Sequence, residues 1–251
     1  MAEAIIKGLV AAKSDWEIHI SDPDPARREH LHDCYSVATH INNVQLTEAV
    51  EVIVLAIKPQ MFLAVVKDLA IKSDKLVISI AAGITLAFLN NAFPGVPLVR
   101  VMPNNPALVK AGMTAIAAAK NVSPNNLLLV EKIFGAVGEI VHVDEKQMDA
   151  VTGLSGSGPA YVYLMVEALV SAGCDLGLSR LVAEKLAAQT VFGAAQTLLK
   201  TEHPAAELRA MVTSPGGTTL AGLKVLEEKQ FFRALVEAVK AAALRSQQLS
   251  Q

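Results

Sequence analysis

The chain has 251 residues, 22 Lys+Arg against 24 Asp+Glu, a formal net charge of -2, and 52% hydrophobic against 18% charged residues. This balance has no basic block, so it leaves no electrostatic footprint for nucleic acid or for an anionic membrane surface, and neither is expected as a partner. The two cysteines, Cys34 and Cys174, form no CxxC pattern; they imply neither a disulfide framework nor a cysteine zinc site and fit a cytoplasmic setting.

Residues 1–143 alternate short β-branched runs with amphipathic runs, the pattern of a parallel sheet covered by helices. In chain order the expected elements are a helix over 2–12, a strand over 17–21, a helix over 25–34, and strands over 37–41 and 51–57. A helix over 60–70, a strand over 75–81, a helix over 86–92 and strands over 98–102 and 114–118 follow. A helix over 123–137, started by the cap and first-turn pair Ser123-Pro124, and a strand over 139–143 complete the sheet region. Val52-Ile53-Val54-Leu55 is apolar on both faces, as a strand buried between helix layers requires. Residues 76–99 carry no charge, but Gly83, Pro94, Gly95 and Pro97 break them into strand, turn and loop, so no spanning helix is expected. The opening residues lack the features of a secretory signal.

After Asp144 the strand signal stops, and the remainder reads as helix broken near 153–159, 173–179, 202–204 and 214–217. The boundary is therefore placed between 143 and 144, with a dinucleotide-binding domain over 1–143 and a helical dimerisation and substrate-binding domain over 144–251. Ala/Leu/Val-rich helices over 181–200 and 218–246 carry more apolar surface than about 100 residues bury alone, and a homodimer at least is expected.

An α/β nucleotide-binding domain opens with a strand and a Gly-rich turn ahead of its first helix. Here Ala2 falls where the last small residue of that turn belongs, so the first strand and the Gly-rich loop are expected to be missing. The strands beside the vacant central position are then expected to leave backbone groups unpaired, at about 1–3 kcal/mol each.

Candidate site residues lie at strand ends and at one helix start. Ser21-Asp22 ends the first strand, with Arg27 and Arg28 beyond it: an acid there suits a ribose 2′-hydroxyl, whereas Ser and Arg suit a 2′-phosphate, and an Asp-Pro turn with solvated arginines explains the segment equally well. Ala56-Ile57-Lys58 and Ala81-Ala82-Gly83 stand just past strand ends, where small residues let a dinucleotide approach the backbone. The strongest local signal is Thr213-Ser214-Pro215-Gly216-Gly217-Thr218-Thr219 before a long helix. Its N–H groups, hydroxyls and dipole suit a small carboxylate, with plain helix capping as the alternative. The Gly-rich run 153–158 lacks the Gly-Lys-Ser/Thr ending of a P-loop and reads as close packing. The six histidines make no metal-ligand pattern, and Tyr161 and Tyr163 read as core.

Taken together, the segment 77–85, Arg100-Val101-Met102-Pro103-Asn104-Asn105-Pro106-Ala107, the stretch from Asp149 to Tyr161, and the segment from Ser214 to Thr219 resemble pyrroline-5-carboxylate reductases, in order and spacing, over essentially the whole chain. The resemblance implies a Rossmann-like N-terminal domain and an all-α C-terminal dimerisation domain, with dimers assembling up to a decamer. It implies reduction of a cyclic imine to proline by NADPH, or less often NADH, while the histidine pattern above gives no metal site. Carried over residue by residue, Thr219 is the threonine approaching the substrate nitrogen, and Ser214, Gly216, Gly217 and Thr218 grip its carboxylate. Asn43 lies on the adenosine side of the cofactor, Ala56, Ile57, Lys58 and Ala82 line the dinucleotide, and Ser21 and Asp22 occupy the 2′-phosphate region. Asn105 departs from the family's usual Thr. The alternatives are a β-hydroxyacid-type dehydrogenase, for which no lysine follows Gly153 until Lys185, and a truncated, non-catalytic paralogue acting as an oligomerisation scaffold.

Overall fold

A computed structural model describes residues 1–13 and 15–249. The chain forms two compact units, one of residues 1–157 with 240–251 and the other of residues 158–239.

The first unit is a layered α/β structure. Strands β1 (His19–Ser21) and β2 (Ala38–His40) pair in parallel, and β3 (Val52–Leu55), β4 (Leu76–Ser79), β5 (Leu98–Met102), β6 (Gly112–Ala118) and β7 (Gly138–His142) form a second sheet in that order. All seven expected strands are present within a few residues. Among the described residues no ladder joins β1 to β3, so the two sheets are separate.

Alternation along β3 to β5 divides the core in two. Ile53, Leu55, Val77 and Leu98 face one way, onto Phe62 and Val66 of α4 (Phe62–Val66) and Leu89 of α5 (Leu86–Ala92). Leu76, Ile78, Val99 and Val101 face the other, onto Ile5 and Leu9 of α1 (Ala2–Ala11) and Val130, Ile133 and Phe134 of α6 (Pro124–Gly135). Each of these large side chains contributes about 1.5–3 kcal/mol on burial. Ile18, Val52 and Val54 also pack on this second cluster, so α1 covers apolar residues at the start of both sheets.

Four local features differ from the sequence expectation. Strand β6 runs antiparallel to β5, because the nine residues between them form only a 3-10 turn (Asn105–Val109) and a parallel return needs a crossover of a dozen or more. An additional short helix, α3 (Asn43–Ala49), follows β2, capped by the Asn42 side chain. The helix expected over 60–70 is reduced to a 3-10 turn (Pro59–Met61) and α4. The helix expected over 218–246 is divided into α11 (Thr218–Glu228) and α12 (Phe231–Leu249) by Gln230, whose φ of 55° lies in the left-handed region that terminates a helix.

Beyond β7 come α7 (Met148–Val151) and a π-helical turn, Thr152–Gly156. A Cβ on Gly156 would lie 2.5 Å from Met102 Cε, so close packing explains this glycine as expected. A buried polar chain ties this region to the sheet and to the C-terminal helix. Arg100 of β5, 4% exposed, has Glu145 Oε1 at 3.5 Å and Asp149 Oδ1 at 3.8 Å, and the Ser246 hydroxyl of α12 donates to Asp149 Oδ1 at 2.7 Å.

The second unit is entirely helical among the described residues: α8 (Gly158–Asp175), α9 (Arg180–Lys200), α10 (Ala205–Met211), α11 and the first half of α12. Helices α8 and α9 meet closely, with the Ala183 methyl 3.1 Å from where a Gly173 Cβ would stand. Only Val170, Ala183 and Ala187 are buried there, while Leu164, Leu181, Leu199 and Phe232 are two-thirds or more exposed. Tyr163 is likewise 51% exposed and not core, because a two-helix hairpin cannot enclose the outward side of α8. Apolar exposure on this scale marks an association surface. No helix among the described residues is long and apolar enough to cross a membrane.

Candidate functional site

The expected substrate loop is a tight turn ahead of α11. After α10, the Gly217 N–H donates to the Ser214 carbonyl at 3.0 Å, closing a turn through Pro215 and Gly216. Gly216 has φ 70°, which suits a residue without Cβ. Gly217 is favoured for a different reason: a Cβ there would stand 2.3 Å from Ser214 Oγ and 3.1 Å from the Ser214 carbonyl oxygen. Gly217 is the N-cap of α11, and no side chain caps this helix, so Thr218 and Thr219 begin it with their N–H groups uncapped. Ser214, Gly216, Thr218 and Thr219 are exposed and Gly217 is half-buried. The capping alternative for the threonines therefore has no hydrogen bond behind it.

The expected cofactor residues all lie in the sheet unit. Ser21 ends β1, and the Asp22 carboxylate accepts the Asp24 N–H at 2.9 Å in an Asx turn. Asp24 in turn caps α2 (Pro25–Tyr35) by accepting from Ala26 N–H. Asn43 begins α3, half-buried, directly beyond β2. Ala56, Ile57 and Lys58 follow β3, Lys58 preceding the 3-10 turn at Pro59. Ala82 follows β4 and is half-buried, and its neighbour Gly83 has φ 79° in a space bounded by Leu249. These residues stand past the C-terminal ends of β1 to β4, where an open α/β sheet receives ligands. The segment from Ser214 to Thr219, expected to hold the substrate, lies in the helical unit.

Two groups of residues stand beyond those expected. Asn104, past the end of β5, accepts the Met113 N–H at 2.8 Å and donates to the Ser155 carbonyl at 3.2 Å, joining the Met-Pro-Asn loop to the π-helical turn. Glu3 of α1 binds Arg27, His30 and Tyr35 of α2. Arg28 donates to the Asp22 carbonyl instead, so both arginines considered for a 2′-phosphate already have partners. Arg27 and His30 stand three apart on one face of α2, a visible signal, but nothing in the sequence pairs them with an acid 24 positions away.

Residues 145–249 match the model of the pyrroline-5-carboxylate reductase dimerisation family, and residues 1–83 match that of the coenzyme F420-dependent NADP oxidoreductase family. The pyrroline-5-carboxylate reductase of Synechocystis sp. is 49% identical over 100% of this chain and 95% of its own length. The chain belongs to the pyrroline-5-carboxylate reductase family. The Mycobacterium tuberculosis reductase is 41% identical over 99% of this chain and 93% of its own. The Plasmodium falciparum reductase, solved with NADP bound, superposes with a TM-score of 0.90 at 32% identity, covering 99% of this chain and 94% of that one. These likenesses give the scaffold alternative no support.

Membership carries a Rossmann-like domain, a helical dimerisation domain and a nicotinamide cofactor. The residues of this chain fit such a group. Ala56 and Ala82 are small residues just past the ends of β3 and β4, and the first turn of α1 has no side-chain cap, so its N–H donors are free of side-chain partners.

Proposed function

We propose that this chain reduces 1-pyrroline-5-carboxylate to L-proline, the last step of proline biosynthesis, taking its reducing equivalents from NADPH, with NADH as a second donor. The observation that carries the activity is the 49% identity to a named reductase across the entire chain. When bound, the cofactor would supply a hydride to the carbon of the C=N bond, and the nitrogen, already protonated in the iminium, becomes the ring amine of proline.

A substrate that is already an iminium needs orientation more than acid catalysis. The loop from Ser214 to Thr218 supplies it, holding the substrate carboxylate with the N–H groups of Gly216, Gly217 and Thr218 and the Ser214 hydroxyl. The Thr219 hydroxyl bonds the ring nitrogen and fixes which ring atom faces the donor. The uncapped start of α11 and the left-handed Gly216 support this reading. Asn43, Ser21 and Asp22 hold the adenosine side of the cofactor, and Ala56, Ile57, Lys58 and Ala82 line it toward the nicotinamide. Ser21 suits the 2′-phosphate, and Asp22 keeps NADH admissible.

We place the dinucleotide-binding part over 1–143 and the dimerisation and substrate part over 144–251, a division supported by the start of the dimerisation-family match at residue 145. The protein is cytoplasmic and assembles as a homodimer, five of which form a decamer. Thr219→Ala tests the site. Losing one hydrogen bond to a charged group, about 1.5–3 kcal/mol, lowers kcat/KM by about 10- to 150-fold with the melting temperature kept. Unchanged kinetics would remove Thr219 from the mechanism.

A further inference from the structure

A charged cluster that the assignments above leave unused joins the first turn of α1 to one face of α2, from Arg27 to its last residue, Tyr35. Glu3 Oε2 accepts from Arg27 Nη2 at 2.6 Å, while Glu3 Oε1 accepts the Tyr35 hydroxyl at 3.0 Å and lies 3.1 Å from His30 Nε2. The His30 and Arg27 hydrogen bonds, with help from Tyr35, bring the Glu3 carboxyl down to about 2, so it stays ionised at any working pH. The pair is partly shielded, with Glu3 27% and Arg27 39% exposed.

The position of the cluster gives it meaning. Helix α2 starts just past the C-terminal end of β1, and Arg27 reaches from there to Glu3. Ala4, the next residue of α1, packs against Ala107 in the turn that follows the C-terminal end of β5. The first turn of α1 therefore stands among the ends of the parallel strands. Uncapped, it is the natural seat for the pyrophosphate of a dinucleotide. An acid in a first helical turn is welcome to the dipole by itself. It is unwelcome to a second anion arriving at the same turn, unless a fixed cation cancels it.

We propose that Arg27 is a positioning residue for the cofactor, cancelling the charge of Glu3 so that the first turn of α1 meets the pyrophosphate as a net donor. Arg28 cannot substitute, because it is spent on the Asp22 carbonyl. This inference rests on the cofactor reading above and adds to it the pair that makes the anion end usable.

The test is the dissociation constant of NADPH and of NADH, by titration calorimetry on the whole chain, for the wild type, Arg27→Gln, Arg27→Lys, Glu3→Gln and the Glu3→Gln/Arg27→Gln double variant, with a melting curve for each. Arg27→Gln is expected to weaken both cofactors about 5-fold, the size of one uncompensated charge near contact in water. Arg27→Lys is expected to stay near wild type, and the double variant to recover to within about 2-fold of it. A merely structural clasp would leave the double variant at least as weak as Arg27→Gln, and that result overturns the proposal. Selective loss of NADPH, unrelieved by Glu3→Gln, would make Arg27 a direct 2′-phosphate ligand and also overturn it. Equal affinities across all variants overturn the inference alone, and no binding by the wild type overturns the cofactor reading and the inference with it.

Discussion

Gly216 and Gly217 are adjacent, yet an alanine at each is expected to fail differently. At Gly216 nothing lies within 4 Å of an added Cβ, and the obstacle is the φ of 70°, a conformation that costs an L-residue about 1–2 kcal/mol. For a chain of this length that lowers Tm by about 2–8 °C, at 2–4 °C per kcal/mol. At Gly217 the backbone is ordinary, with φ -78°, and the obstacle is the Ser214 hydroxyl, 2.3 Å from the new methyl. A serine side chain turns aside at a cost of about 0.5–1.5 kcal/mol, about 1–6 °C by the same conversion, while Ser214 Oγ leaves its place in the loop. Gly217→Ala is therefore expected to raise KM for the imine several-fold with a Tm loss no larger than that of Gly216→Ala, which lowers Tm through its backbone alone. Steady-state kinetics and differential scanning calorimetry on the two variants decide it. If Gly217→Ala proves the less stable of the two with KM unchanged, the close approach to Ser214 is not what the loop requires.

Three further outcomes follow from the same contacts. Arg100→Met leaves Glu145 and Asp149 without their cation. Breaking a fully buried pair costs about 3–5 kcal/mol; the carboxylates here are 32% and 23% exposed, which reduces the expectation to about 1–3 kcal/mol, readable as a lower urea midpoint. Ser246→Ala removes one 2.7 Å hydrogen bond to Asp149 and is expected to cost about 1 kcal/mol by the same assay, with no change in KM. Glu3 has a carboxyl held below its ordinary 4.5, at about 2, so its contribution to stability is complete above 4.5 and is lost as pH falls toward 2. Between those values wild type is expected to lose more Tm than Glu3→Gln, and parallel curves would show that the clasp carries no such linkage.

The strands were legible because parallel-sheet strands are buried on both faces and read as continuous β-branched runs, as 52–55 and 76–79 do. Pairing direction was not legible: β6 carries the same kind of run as β5, and only the short Met-Pro-Asn connection forces it antiparallel. Helix α3 escaped notice because it buries one residue, Thr47, and so leaves no apolar period. The break at Gln230 has neither glycine nor proline to announce it. At the site, the two-glycine turn was visible because its residue types are demanded locally. The Glu3–Arg27 clasp was not, since each partner alone reads as a solvated charge and only the packing of α1 on α2 brings them to 2.6 Å.

The central claim is the reaction itself, and the direct measurement is product formation. The purified, folded chain is incubated with 1-pyrroline-5-carboxylate and NADPH, and proline is quantified by chromatography against NADPH oxidised. One proline formed per NADPH consumed, at a rate that collapses in Thr219→Ala, is the result predicted. A folded, assembled chain that binds NADPH and yields no proline would contradict the account.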